Sequence, residues 1–210
     1  MILRSSPPSP FGRMVKLAAH VMGHMDAITI EQTDTMDATD SIRVQNPLGK
    51  IPALILDDGR TIYDSRVIVD YLNEHAAANK VIPSAGDARV DVLTRTALFT
   101  GLLDAAILVI YETRFRPEDK QVSEWVDYQR DKIVRALRTV AQMALKYSNS
   151  ANPDLGEIAL ACSLDYLDYR KQVDWRQYCP DMAQWMTDFA AAVPGYKDTL
   201  TDDIDPAPWR

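Results

Sequence analysis

The sequence predicts an α/β region at the N-terminus followed by an all-α region. Up to about residue 77, short β-like runs alternate with helical ones, and after about residue 87 every segment has helical periodicity. The 210 residues, 47% hydrophobic and 25% charged, suffice for one ordinary domain or two small ones sharing a core. The 8 Gly and 12 Pro are spread along the chain, which removes collagen-like, linker-dominated and disordered readings.

Met1 to Arg4 forms the first short strand. Phe11, Met14, Val15, Ala18, Val21 and Met22 then recur at helical spacing, and Gly23 ends that helix. Ala27 to Ile30 is short and rich in β-branched residues, Asp37 to Val44 is polar and weakly helical, and Pro52 to Leu56 is an apolar run suited to a buried strand. Asp57-Asp58-Gly59-Arg60 supplies a hairpin turn into the return strand Thr61-Ile62-Tyr63. Val67, Ile68, Tyr71 and Leu72 mark one face of a third helix, so the order is βαβ and then ββα.

Ala76 to Asp87, with Pro83, Ser84 and Gly86, reads as a linker. Helices follow over Ala88–Phe115 and Glu118–Tyr147, separated at Arg116-Pro117, where proline favours a break and a fresh start. Asp154 and Glu157 stand three apart, as in a capping box, at the head of a helix that runs to Arg170. A last helix is expected near Asp181–Ala192, then a tail with Pro194, Pro206 and Pro208 that should wrap the surface. No internal repeat is present.

Charge narrows the partners. Residues 1–83 hold 8 basic against 10 acidic side chains and residues 84–210 hold 15 against 20, so neither part of this −7 chain offers a phosphate-neutralising surface, and nucleic acid is not an expected partner. The longest apolar stretch, Ala97 to Tyr111, is broken by Thr100, Gly101 and Asp104; it reads as a buried core helix too short to cross a bilayer, so no membrane is expected. The N-terminus lacks the features of a signal peptide, which makes a cytoplasmic location the expectation. Cys162 and Cys179 have neither a CxxC spacing nor a nearby histidine, so reduced, buried thiols are expected rather than a zinc site or a disulfide.

Three segments could carry chemistry. In Ser9-Pro10-Phe11-Gly12-Arg13, Ser9 can be an N-cap, Pro10 the first helical residue and Arg13 a solvated side chain; alternatively the helix N-terminus and the hydroxyl can receive an anion, a thiolate included. In Asn46-Pro47-Leu48-Gly49-Lys50-Ile51-Pro52, the bland reading is an edge strand opening with a trans proline. The sharper one is a cis Ile51-Pro52 bond that turns the Ile51 backbone towards an extended ligand, and the local sequence favours the former. Asp64-Ser65 can simply cap a helix, or Ser65 and the amides there can take a carboxylate while Asp64 holds an ammonium, together gripping an amino-acid head group. His20 and His24 have metal-site spacing, but Gly23 intervenes, so no metal is expected. Asp104 can face a cleft, a dimer axis or a helix–helix core, with Tyr111 on the same wall, and the tryptophans Trp125, Trp175, Trp185 and Trp209 read as packing residues.

In order and spacing, SPFGR, NPLGKIPAL, DSRVIVDYL and DLGEIALACSLDYLDYR resemble the cytosolic glutathione transferases over nearly the whole chain, and TGLLDAAILVIYETRFRPEDKQ is similar to bacterial members. The resemblance implies a thioredoxin-like N-terminal domain (βαβαββα, residues 1–77) that binds glutathione, a linker over 78–87, an all-α C-terminal domain over 88–210, and a homodimer. Ser9 then matches the catalytic position, where serine implies hydrogen bonding to the glutathione sulfur rather than a mixed disulfide. Ile51 matches the residue whose backbone pairs with the cysteinyl part, Pro52 the cis proline, and Lys50 a partner for the glycyl carboxylate. Asp64 and Ser65 match the γ-glutamyl anchor, with Asp shorter than the Glu the family often has. Phe11, Asp104 and Tyr111 are the candidates for the second-substrate pocket.

The implied function is a glutathione transferase that needs no metal and activates the glutathione thiolate for attack on a small apolar electrophile. The alternative is a non-catalytic glutathione- or ligand-binding protein of the same fold with a regulatory or carrier role. A thiol of pKa about 8.5 is about 3% ionised at pH 7, and lowering it by about two units makes it about 75% ionised, which takes about 2.7 kcal/mol of preferential thiolate stabilisation.

Overall fold

The computed structural model describes residues 1–143, 145, 147 and 150–201. Strands β1 (Ile2–Ser5), β2 (Thr29–Gln32), β3 (Ala53–Ile55) and β4 (Thr61–Ile62) form a mixed sheet in the order β2-β1-β3-β4. β1 runs parallel to β2 and antiparallel to β3, and β4 is antiparallel to β3. Leu3 stands opposite Leu54 in this register, and both are fully buried. The second strand starts two residues later than expected, because Met25–Ala27 forms a turn of 3₁₀ helix first.

Helix α1 (Pro10–Val21) buries Met14, Val15, Ala18 and Val21, the face that the periodicity predicts, and Gly23 leaves the helix with φ +76°, a conformation open to glycine. The polar segment after β2 contains only one short helix, α2 (Ile42–Gln45), because aspartates compete for its backbone: Asp34 accepts from the Met36 amide and Asp37 from the Thr39 amide. Arg4 anchors the segment from the middle of the sheet. Only 2% exposed, it donates to Thr33, Ser41, Gln45 and Asp40.

In α3 (Ser65–His75) the buried side chains are Ile68, Val69 and Leu72, whereas Val67 is exposed and Tyr71 half-buried, so the helix is rotated from the expected face. Asn73, fully buried, then ties down the following loop, accepting from the Val81 and Ile82 amides and donating to the Ile82 carbonyl.

The helical region comprises α4 (Gly86–Phe115), α5 (Ser123–Gln142), α6 (Leu155–Arg170) and α7 (Met182–Ala192). At 30 residues, with a mean hydropathy of 1.7 over its most apolar window, α4 is by length and composition long and apolar enough to cross a membrane, which corrects only the length read from Ala97–Tyr111. It packs against α5 and α6 and buries Val92, Phe99, Leu102, Leu103 and Ala106 in the core. Residues Glu118–Lys120, expected to start the next helix, form a 3₁₀ turn, and α5 begins at Ser123. The reason lies in the buried Glu112 carboxylate, which accepts the Val122 amide at 2.8 Å and so holds that residue extended. α5 ends at Gln142, five residues short of the expected Tyr147, because the Met143 amide turns back to the Val140 carbonyl and closes the last turn; Leu145 and Tyr147 lie outside any helix. Residues 144, 146, 148 and 149 are outside the described residues, as are Pro206, Pro208 and Trp209.

The capping box of α6 is complete: Asp154 accepts the Glu157 amide and Glu157 accepts the Asp154 amide, each at 2.9 Å. Arg95 of α4 grips the same Asp154 with two hydrogen bonds of 3.1 and 2.8 Å, so one side chain both starts α6 and docks it. Asp154→Ala is expected to cost about 2 kcal/mol, since it removes the cap and the bidentate pair together. Asp154→Ser should recover about half of that by keeping the cap, and midpoints of urea unfolding measure both.

Candidate functional site

The site starts where β1 turns into α1. Ser5 ends the strand and is buried, and Gly12 faces it so closely that a Cβ there would overlap the Ser5 hydroxyl. The absent side chain lets the helix start sit against the strand end. Ser9 is the extended residue before the helix; its Oγ accepts the Gly12 amide at 3.1 Å, and Pro10 occupies the first helical position. The capping role read from the sequence is therefore present. Since the hydroxyl accepts in this bond, its own hydrogen remains available to donate.

Arg13 is not solvated, contrary to that local reading. It is 4% exposed and paired with Asp165 of α6, and its guanidinium lies 4.9 Å from the centre of the Tyr196 ring. The Tyr196 hydroxyl donates to the same carboxylate at 2.9 Å. The surroundings explain the burial: α1 packs along α6, and one turn beyond the cap its side chains enter that interface.

A cleft of about 510 Å³ opens between the sheet unit and the helices. Ser9 and Phe11 line it from the start of α1, Lys50 and Ile51 from the loop before β3, and Asp104 and Tyr111 from α4. Six of the predicted residues thus share one cavity. The loop carrying Lys50 is held by Asn46, which is buried, donates to the Lys50 carbonyl at 2.8 Å and accepts the Leu48 amide at 3.0 Å. The Ile51–Pro52 peptide is cis, against the trans form favoured by the local sequence and in keeping with the family resemblance.

Pro52, Asp64 and Ser65 do not line this cleft. Ser65, 3% exposed, is the first residue of α3, and Asp64 is its N-cap, accepting the Arg66 amide and the Arg66 guanidinium at 3.0 Å each. Burial pulls the Asp64 carboxyl upward, but the hydrogen bond and charge of Arg66 outweigh it and hold the group below the usual carboxylate range. The Asp64 side chain, read from the sequence as a holder of an ammonium, is thus already paired. Asp104 carries the opposite balance: burial raises its pKa, with Arg66 and Lys50 pulling down and Asp64 pushing up.

Sequence reasoning missed Tyr166, Arg114 and Arg170 on the helical wall. Tyr111 and Arg114 stand three residues apart, and Tyr166 and Arg170 four apart, so each pair shares a helix face, a signal that was open to use. Burial raises the Tyr166 phenol, while both Arg170 and Arg114 pull it down, which puts the two guanidinium charges near one hydroxyl. His20 packs against Gly195, and His24 bonds the Leu72 carbonyl through Nε2, so the pair with metal-like spacing is engaged elsewhere. Cys162 and Cys179 are buried free thiols, each pushed up to about 11 by burial.

Comparison with known proteins puts this geometry in context. A family model described as "Glutathione S-transferase, N-terminal domain" matches residues 8–75. Among solved structures, the chain is 37% identical to a glutathione transferase family member from Pseudomonas fluorescens Pf-5 with bound glutathione, covering 92% of this chain and 98% of that one with a TM-score of 0.83. It is 35% identical to a glutathione S-transferase from Methylobacillus flagellatus KT with glutathione bound, covering 95% and 98% with a TM-score of 0.84. It is also 29% identical, over 81% of this chain and 84% of the relative, to the uncharacterized GST-like protein YibF of Escherichia coli K12.

The electrostatics of Asp104 give a pH-dependent expectation. A carboxyl with a raised pKa in the folded state costs stability once pH exceeds its folded value, and the cost vanishes below the unfolded value of 3.8. Asp104→Asn should therefore stabilise the protein at pH 7, by about 0.5 kcal/mol given solvent screening. The gain should fade as pH drops towards 3.8, as read from urea unfolding at a series of pH values.

Proposed function

Because the chain belongs to the glutathione transferase family, we propose that it binds glutathione with its thiol in this cleft and its γ-glutamyl end reaching past the cleft to the start of α3, and activates the thiol for attack on an electrophilic carbon. One observation carries the reading: Ser9 stands on the cleft wall at the N-terminus of a 12-residue helix, its Oγ accepting the Gly12 amide, so that its proton can be given to a sulfur. The cleft volume, about 510 Å³, suits a tripeptide together with a second small molecule.

In this reading the Ile51 backbone pairs with the cysteinyl part, beside the cis Pro52, and Lys50 meets the glycyl carboxylate. Ser65 and the first amides of α3 take the γ-glutamyl carboxylate, while Asp64, kept ionised by Arg66, accepts from the ammonium. Phe11, Asp104 and Tyr111 border the second substrate. The Ser9 hydroxyl and the dipole of α1 together supply the roughly 2.7 kcal/mol that a two-unit shift of the thiol requires. The thiolate pair then forms a carbon–sulfur bond while the leaving group departs with its bonding electrons; with a conjugated acceptor, the acceptor's own π pair is displaced instead and takes a proton from solvent water. Residues 1–77 are the glutathione-binding unit and 88–210 the helical unit of a cytoplasmic homodimer, a reading supported by exposed apolar side chains such as Val44, Leu48 and Val90.

Ultraviolet thiolate absorbance of bound glutathione between about pH 5 and 9 tests this, with free glutathione at about 8.5 as reference. The expected apparent pKa is about 6.5, rising by one to two units in Ser9→Ala as about 1.5–3 kcal/mol of hydrogen bonding to the ion is lost, with a roughly tenfold lower conjugation rate at pH 7. An unshifted thiol in the native protein sinks the catalytic reading and leaves the non-catalytic binding protein.

A further inference from the structure

We propose that the helical wall of the cleft is an anion-recognition surface, built from Arg114 and Arg170 with Tyr111 and Tyr166, and that the electrophile taken by this protein carries a carboxylate. The inference rests on the glutathione reading for the electrophile's location and narrows its chemical class from apolar to apolar with one anionic end.

Neither guanidinium has a carboxylate within ion-pairing distance among the described residues, although the chain holds 30 acidic against 23 basic side chains. The two have aromatic partners instead. Arg114 lies 5.8 Å from the centre of the Tyr111 ring, and Arg170 lies 5.4 Å from that of Tyr166 and 4.5 Å from that of Tyr169. The Arg170 Nε is buried and without a hydrogen-bond partner. Stacking on a ring face fixes a guanidinium plane and leaves its edge free to form two parallel bonds to a carboxylate.

Arg114 and Arg170 line the same cleft beside Tyr111 and Tyr166, so their like charges repel each other there, and that repulsion is relieved by an anion between them. Among the described residues, no acid forms an ion pair with either guanidinium. Asp104, which also lines the cleft, lies within the fields of Lys50 and Arg66. Ile107 and Leu108 line the cleft between Asp104 and Tyr111 along α4, which suits an apolar body whose charged end reaches Arg114 and Arg170.

The test compares two glutathione conjugates that differ only in charge, S-(4-carboxybenzyl)glutathione and S-(4-carbamoylbenzyl)glutathione, by titration calorimetry on the full chain, with S-methylglutathione as the control for the glutathione portion. The carboxylate is expected to bind about tenfold more tightly than the amide at low salt, and about threefold or less at about 0.5 M salt, where screening is strong. Arg114→Gln, at an exposed position, should cut the preference to about threefold, and adding Arg170→Gln should remove it, whereas Arg114→Lys, which keeps the charge but not the planar fork, should keep only part of it. Equal affinities in the native protein, or a preference that survives Arg114→Gln and the double variant, overturn the inference while S-methylglutathione binding leaves the glutathione reading standing. If S-methylglutathione does not bind, the glutathione reading falls and takes this inference with it.

Discussion

The Arg13–Asp165 pair sits at the point where the sheet unit meets the helices, and both walls of the cleft are referenced to it. Arg13 lies four residues after Ser9, and Asp165 immediately precedes Tyr166 and lies five residues before Arg170. Burial disfavours charge on both partners; Asp165 is pushed up against the pull of Arg13 and Tyr196, while its carboxylate holds the guanidinium charged. Removing one partner leaves a buried charge uncompensated, at a cost of about 3–5 kcal/mol, so the two halves are held to one relative position by a pair that cannot be loosened cheaply. Tyr196 extends the constraint past α7, because its hydroxyl shares the Asp165 carboxylate and its ring stacks under Arg13.

Around that junction, buried polar side chains do what regular structure cannot. Arg4 gathers the irregular segment after β2, Asn46 shapes the loop that offers Lys50 and Ile51, and Asn73 ties down the passage to α4. Each satisfies backbone or side-chain groups that would otherwise be buried without partners, which is why short loops can hold defined positions next to an open cleft. The cleft is consequently lined by groups on supported elements rather than on free loops. Its charge is divided: Asp104 lies near Lys50 and Arg66, whereas Arg114 and Arg170 stand by aromatic rings.

Local rules made much of the fold legible. The buried face of α1, its exit at Gly23, the hairpin turn with Gly59 at φ +84°, the capping box at Asp154 and the end of α6 at Arg170 all follow from residues within a few positions of each other. The same holds for the Ser9 cap, whereas Ile51–Pro52, read locally as trans, is cis. Where a side chain competes for backbone amides, or packing sets which face is buried, reading by periodicity goes astray. Glu112 takes the Val122 amide and delays α5, the aspartates of the 34–40 segment take amides from a helix, and α3 turns Val67 outward to bury Val69.

What the sequence determined by itself is the order of elements, their caps and the identity of the side chains available for chemistry, because hydrogen bonding over one turn and periodicity over one face are properties of neighbours along the chain. What only the tertiary structure decided is which charges are buried and which converge. Arg13 reads locally as a solvated residue and is a core ion pair, and Arg114 and Arg170, 56 positions apart, reach one phenol from two helices. The energy of a charge depends on its dielectric surroundings and on its partners, and both are set by segments that meet only after the chain has folded.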